Sequence, residues 1–342
     1  MKFFEIAKKI DTSVGKDDTL FANIEVAPFK VYGVTMGEDG KYHRMPFEIA
    51  EKVSDGVKVL SSNTAGGRIK FKTNSPYIVV KAKLGKYWHM YHFPACGNYG
   101  FDIYDGKEYK GTVRPMERPI EFEGIEGLGA GEHDITVNMP LYSDVCEVLI
   151  GLSADAEISF PDEYKHAANA PVVFYGSSIT QGGCASRPGM SYQAILEREL
   201  GFDYINLGFS GSAKAEDAII DYIAGLDMSV FVYDYDHNAP NPEHLEATHE
   251  KMFLAIREKH PDMPIIFMSR PSTIDKKRRE IIENTYNNAV ARGDKRVYIV
   301  KPAELNKKDG TVDGCHPNDL GFYYMAKDLS PILKKCIEDI EK

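Results

Sequence analysis

A single tryptophan stands among the 342 residues, and no run of 18 apolar residues occurs anywhere. The second absence excludes a membrane-spanning helix, which needs about 20 mostly apolar residues to cross the hydrocarbon layer. Positive charge is scarce too: 41 Lys and Arg face 51 Asp and Glu, for a net charge of −10. A chain that grips nucleic acid neutralises phosphates with a basic surface, so this balance argues against a nucleic-acid partner. Cysteine is sparse and odd in number. Cys96, Cys146, Cys184, Cys315 and Cys336 are scattered along the chain, which fits reduced thiols in a cytoplasmic protein better than a disulfide framework. The N-terminus breaks to charge at Glu5 and again at Lys8 and Lys9, and lacks the roughly 7–15 apolar residues of a secretory signal. The remaining composition, 43% hydrophobic and 27% charged, is that of a globular chain and too apolar for global disorder.

The two halves of the chain differ in rhythm. Residues 1–160 lack any long amphipathic helix pattern. Short β-forming runs, such as Arg68–Lys72, Tyr77–Lys83, His133–Val137 and Val145–Ile150, are punctuated by Gly, Asn, Asp and Pro. Many short strands with close turns imply an antiparallel sandwich or jelly-roll-like domain. From Pro171 onward, apolar runs at Val172–Tyr175, Tyr204–Leu207, Val230–Tyr233, Ile265–Met268 and Val297–Val300 alternate with helical spacing. The helices are expected at Ser191–Leu200, with Gly201 as the stop, and at Glu216–Ala224, Pro242–His260 and Asp275–Arg292. Strands alternating with helices mean a parallel sheet covered on both faces. The polar, proline-bounded stretch 161–170 separates a front domain, 1–160, from a second domain, 171–342.

Ligands of open α/β sheets bind beyond the carboxyl ends of the strands. The residues there are Gly176-Ser-Ser-Ile-Thr-Gln-Gly182, Asn206-Leu-Gly-Phe-Ser-Gly211, Asp234-Tyr-Asp-His-Asn238 and, after the last strand, Asp313-Gly-Cys-His-Pro317. They supply a hydroxyl, backbone donors, an amide, an imidazole and a carboxylate. Acyl transfer needs that set: a nucleophile, a base, a group that orients the base, and donors for an oxyanion.

In this order the four blocks resemble those of the SGNH (GDSL-type) hydrolases, across residues 171–342. The resemblance implies a flavodoxin-like α/β/α sandwich. It also implies Ser178 as nucleophile, with His316 and Asp313 completing a triad, and Ser178, Gly211 and Asn238 as the oxyanion donors. The chain departs from the family pattern at three places. Ser177 stands for the Asp of Gly-Asp-Ser, Asp236 for a Gly, and Ala239 for an Asp. The string Gly176–Gly182 with Ala185-Ser-Arg-Pro-Gly189 is similar to a subgroup of these esterases. Its β-rich front domain carries a Gly-x-Asp-Leu-Tyr signature, to which Gly100-Phe-Asp-Ile-Tyr104 is close. That subgroup resembles carbohydrate acetylesterases, so the resemblance implies a serine esterase removing small acyl groups from acetylated oligosaccharides.

Each sharp reading has a plainer one beside it. Asp234, Asp236 and His237 form either a solvated loop or a substrate rim. Arg187 either holds the loop after the nucleophile or contacts substrate. Trp88, in the aromatic stretch Tyr87–Phe93, suits a sugar contact, an oligomer interface or plain core packing. Cys184 and Cys315 do not have a recognised metal-ligand spacing. They read as small packing residues, and no metal or cofactor is expected. Two other functions compete: a lysophospholipase or thioesterase on the same scaffold, and a carbohydrate-binding protein with an inactive hydrolase half. The expected partner is a small-molecule or oligosaccharide ester, with a homo-oligomer through the front domain as a further possibility, and neither nucleic acid nor membrane.

Overall fold

The computed structural model describes residues 1–87, 89–116, 120–166, 170–271, 275–301 and 309–340. Trp88 lies outside them. Two compact units emerge: residues 1–44, 62–163 and 185–189 form the first, and residues 45–61, 164–184 and 190–342 the second. Residues 45–61, which the sequence rhythm leaves in the front half, fold as two short helices, Phe47–Val53 and Asp55–Ser61, within the second unit. Their Ala50 and Val57 are fully covered in its core.

The first unit is built on antiparallel pairing. One sheet orders the strands Thr19–Asn23, Ser143–Ser153, Tyr77–Tyr87 and Glu121–Gly127. The other orders Ile158–Ser159, Arg68–Thr73, His133–Asn138, Phe101–Asp105 and Glu108–Val113, with Lys30–Tyr32 pairing on Arg68–Thr73. Inward side chains of both sheets, among them Val80, Ile150, Phe71, Ile103 and Val137, share one buried cluster. Alternation along each strand therefore buries one face of each sheet in a common core. The signature Asp102 is fully buried. It accepts from Asn138 Nδ2 at 2.8 Å and from the Gly189 amide at 2.7 Å.

The second unit carries a five-stranded parallel sheet. Its strands are β1 (Val172–Gly176), β2 (Tyr204–Gly208), β3 (Val230–Asp234), β4 (Ile265–Phe267) and β5 (Val297–Ile299). They lie in the order 2-1-3-4-5, the flavodoxin-like arrangement of an α/β/α sandwich. Helices α1 (Ser178–Gln181), α2 (Tyr192–Leu200), α3 (Asp217–Ala224), α4 (Pro242–Lys259), α5 (Lys276–Ala291) and α6 (Asp319–Ile340) complete it. The sequence rhythm finds every strand and helices α2 to α5 within a residue or two, and does not find the 22-residue α6. Phe231, Ile265 and Phe267 meet Ile219, Ile223, Leu245, Phe253 and Ile282 in one cluster. Each such buried side chain contributes about 1.5–3 kcal/mol.

Register sets up the site. Gly176 pairs with Gly208 on one side and with Asp234 on the other. The three strands therefore end level, and the chain beyond each issues from one stretch of sheet edge.

Candidate active site

Ser178 opens α1 directly after β1. Ser177 caps that helix, its Oγ accepting from the Ile179 amide at 3.2 Å. Close packing holds the turn against β2. A Cβ at Gly208 would strike the backbone nitrogen of Gln181, so only glycine allows α1 to sit this near the strand. The Thr180 carbonyl is gripped by Gln193 Nε2 and Asn206 Nδ2, both at 2.7 Å.

Ser178 Oγ lies 2.9 Å from His316 Nε2, and His316 Nδ1 lies 2.8 Å from Asp313 Oδ2. The loop that carries the last two is closed by the Val312 amide donating to the His316 carbonyl at 2.9 Å. Inside it, Asp313 Oδ1 accepts from the amides of Cys315 and His316 at 2.9 and 2.8 Å. Partial burial works against ionisation of Asp313, but the His316 amide and ring and the Cys315 amide outweigh it and lower its pKa to about 2. The Cys315 sulfur accepts a hydrogen bond from the His316 ring and so raises the imidazole pKa; burial opposes this, and Asp313 adds to the rise. The same contact with His316 pulls the thiol down, with Arg270 assisting.

The second and third blocks are tied to the first. Gln181 Oε1 accepts from the Ser210 amide at 3.0 Å, beside Gly211 in the loop after β2. Asn238 Nδ2 donates to the Phe209 carbonyl at 3.3 Å, so its amide reaches the same loop. Asn238 itself closes a turn on the Tyr235 carbonyl at 2.9 Å.

The polar residues around this framework take different parts. Neither Asp234 nor Asp236 is solvated: they are 4% and 1% exposed. Asp236 accepts from Ser269 Oγ at 2.6 Å and from the Arg270 amide at 3.4 Å, while its carbonyl accepts from Arg278. His237 is half-buried, with Nδ1 2.9 Å from an Arg270 guanidinium nitrogen. Burial lowers its pKa; Asp236 opposes the shift, and Arg270 and Arg278 add to it. Arg187 lies over the Tyr109 ring at 4.0 Å and 3.7 Å from Asp102. Cys184 is buried. The potential ligand atoms of Asp313, Cys315 and His316 lie within 4.8 Å of one another, but Asp313 and His316 already use theirs on each other. Arg270 is the residue the sequence pattern missed. It follows β4 in a run, Met268-Ser-Arg270, with no motif around it.

Residues 169–334 match the family model described as GDSL-like lipase/acylhydrolase, and residues 19–158 match the model of the N-terminus of SGNH-hydrolase-type esterases. Among solved structures, the chain is similar to one described as a GDSL-like lipase from Bacteroides ovatus ATCC 8483. That match has 30% identity and a TM-score of 0.83, covering 94% of this chain and 98% of that one. A salicylyl-acyltransferase from a tetracycline biosynthetic pathway is similar at 18% identity and TM-score 0.74, over 93% of this chain and 98% of that one. An acetyl xylan esterase from the rumen bacterium Butyrivibrio proteoclasticus is similar at 12% identity and TM-score 0.61, over 93% and 98%. The last two likenesses are likenesses of fold. Among curated proteins none matches the chain.

Proposed function

We propose that this chain, which belongs to the GDSL-like lipase/acylhydrolase family and is an ester hydrolase, removes small acyl groups, acetyl foremost, from hydroxylated substrates of the carbohydrate class. The observation that carries the reading is the continuous hydrogen-bonded path from Asp313 through His316 to Ser178. Ser178 Oγ attacks the ester carbonyl while His316 Nε2 takes its proton. Asp313 keeps the other ring nitrogen protonated and stabilises the imidazolium. The tetrahedral oxyanion is met by the amides of Ser178 and Gly211 and the side chain of Asn238, each donor lowering the barrier by about 3–4 kcal/mol. Collapse expels the alcohol, protonated by His316, and leaves an acyl-Ser178. Water, deprotonated by the same imidazole, then releases the acid. The similarity to an acetyl xylan esterase supports the acyl group and the sugar-like alcohol. The similarity to a salicylyl-acyltransferase supports a second outcome, in which an alcohol replaces water in the final step.

The substrate reading is tested with paired aryl esters and then a panel of acetylated oligosaccharides. Aryl acetate is expected to turn over well and aryl palmitate poorly, and mass spectrometry should show oligosaccharides losing one acetyl mass. Preference for palmitate would replace this reading with a lipid-directed one. Turnover of neither ester, with glycan binding retained, would leave a binding protein.

Acidity offers a separate check. The base must be neutral imidazole, and His316 is shifted above the ordinary histidine range by Cys315 and Asp313. Activity is therefore lost as pH falls through that raised value. kcat/KM should rise on one ionisation centred above about 6.5. A rate flat from about pH 5 to 9 would remove His316 from the role of base.

A further inference from the structure

Asp234 is a carboxylate that the acyl-transfer steps do not use. It ends β3 level with Gly176 and is 4% exposed. A buried carboxylate without partners is expensive, so its hydrogen bonds reveal its purpose. Thr180 Oγ1, on the turn that carries Ser178, donates to Asp234 Oδ1. The Ser177 amide, one residue before Ser178, donates to the same carboxylate. Thr180 is also bonded by the Tyr192 side chain from α2. Both groups pack directly against the strand end: a Cβ at Gly176 would overlap both Asp234 Oδ1 and Thr180 Oγ1. Burial raises the Asp234 pKa to about 8, with Asp236 adding to the rise and the bonds from Thr180 and Ser177 opposing it.

We propose that Asp234 is a positioning residue for the nucleophile, pinning the Ser177–Thr180 turn from β3 through the Ser177 amide and the Thr180 hydroxyl. In this chain the residue before the nucleophile is a serine, which uses its own hydroxyl to cap α1. The carboxylate beside the nucleophile turn comes instead from the neighbouring strand. The assignment rests on Ser178 being the nucleophile. It differs from Asp313 in kind, since Asp313 holds the base and Asp234 holds the backbone that aims the hydroxyl.

The test is Asp234→Asn, assayed above about pH 8 where Asp234 is ionised; it keeps the shape and replaces one acceptor oxygen by an NH2 group, so the two donors compete for a single oxygen. A nucleophile displaced by a fraction of an ångström loses rate without losing substrate affinity. kcat on aryl acetate should therefore fall about 10- to 100-fold, with KM within about two-fold. The rate at which a fluorophosphonate labels Ser178 should fall in parallel. Thr180→Val should show the same split, and Thr180→Ser should restore kcat. The Asp234→Asn/Thr180→Val pair should be no worse than the poorer single variant, because both remove one bond. Wild-type kcat and labelling rate in Asp234→Asn would overturn the proposal, whatever its melting temperature. If that variant does not fold, Thr180→Val decides by the same readings, and wild-type values there overturn it. Activity surviving in Ser178→Ala would instead overturn the nucleophile assignment, a separate outcome.

Discussion

Ser178→Ala is expected to abolish ester cleavage, with kcat falling on the order of 10⁶-fold, as when a serine nucleophile is removed from an acyl-transfer triad. The side chain is half-buried and its hydroxyl bonds His316, so the fold should survive with little change in melting temperature. The comparison that gives this result meaning is Ser177→Ala. Among the described residues, Ser177 Oγ accepts a single cap bond, from the Ile179 amide at 3.2 Å. Its loss should cost about 1 kcal/mol of stability and leave most of the activity. Steady-state kinetics on aryl acetate, with intact-mass detection of a fluorophosphonate adduct, reads both variants. Were Ser177→Ala the dead enzyme and Ser178→Ala the active one, the nucleophile would be displaced by one residue.

Asp313→Asn comes next in size, at on the order of 10³- to 10⁴-fold in kcat. An amide can donate its NH2 to Nδ1 and so favour the wrong tautomer; it does not stabilise imidazolium either, and a triad with this change loses about 10⁴-fold. Asp313 retains some contact with solvent, its side chain being 35% exposed, which moderates the loss. The variant carries a second signature in its pH profile. Asp313 is one of the groups that raise the His316 pKa, so its neutral replacement should move the inflection of kcat/KM to lower pH. The hydrogen bond to the Cys315 sulfur, the largest cause of the rise, would keep part of the shift. A full rate with an unmoved inflection would show that His316 is oriented by something other than Asp313.

Much of the catalytic unit was legible in the linear order of residues. Apolar runs of β-formers, each followed by helical spacing, announce a parallel sheet because period and length are local properties of the chain. The four polar blocks stand where such a sheet places its ligand edge. The family resemblance carried by those blocks put forward Ser178, Asp313 and His316 as candidate triad residues before any distance between them was known. The helix α2 was readable from Ser191 and Gly201, although Ser191 makes no side-chain cap bond. Helix α6 was not read. Pro331 inside it interrupts the helical pattern, and packing of Phe322, Met325, Leu329 and Leu333 overrides that local penalty.

What composition and spacing determine about this protein is a β-rich front half, a parallel sheet behind it, and four chemical blocks in order. What only the tertiary structure decides is which polar side chains are enclosed. Asp234 reads from the sequence as part of a solvated loop or a substrate rim, and it is instead enclosed at the end of β3, where Thr180 on α1 donates to it. Asp236 is enclosed because Ser269, Arg270 and Arg278, 33 to 42 residues away, converge on it. The helices at 47–61 join the second unit because Ala50 and Val57 find apolar partners in its core. Pattern along the chain reports what each segment prefers on its own. Burial of a charge depends on partners distant in sequence, and those partners exist only once the sheet has set its strand order and register.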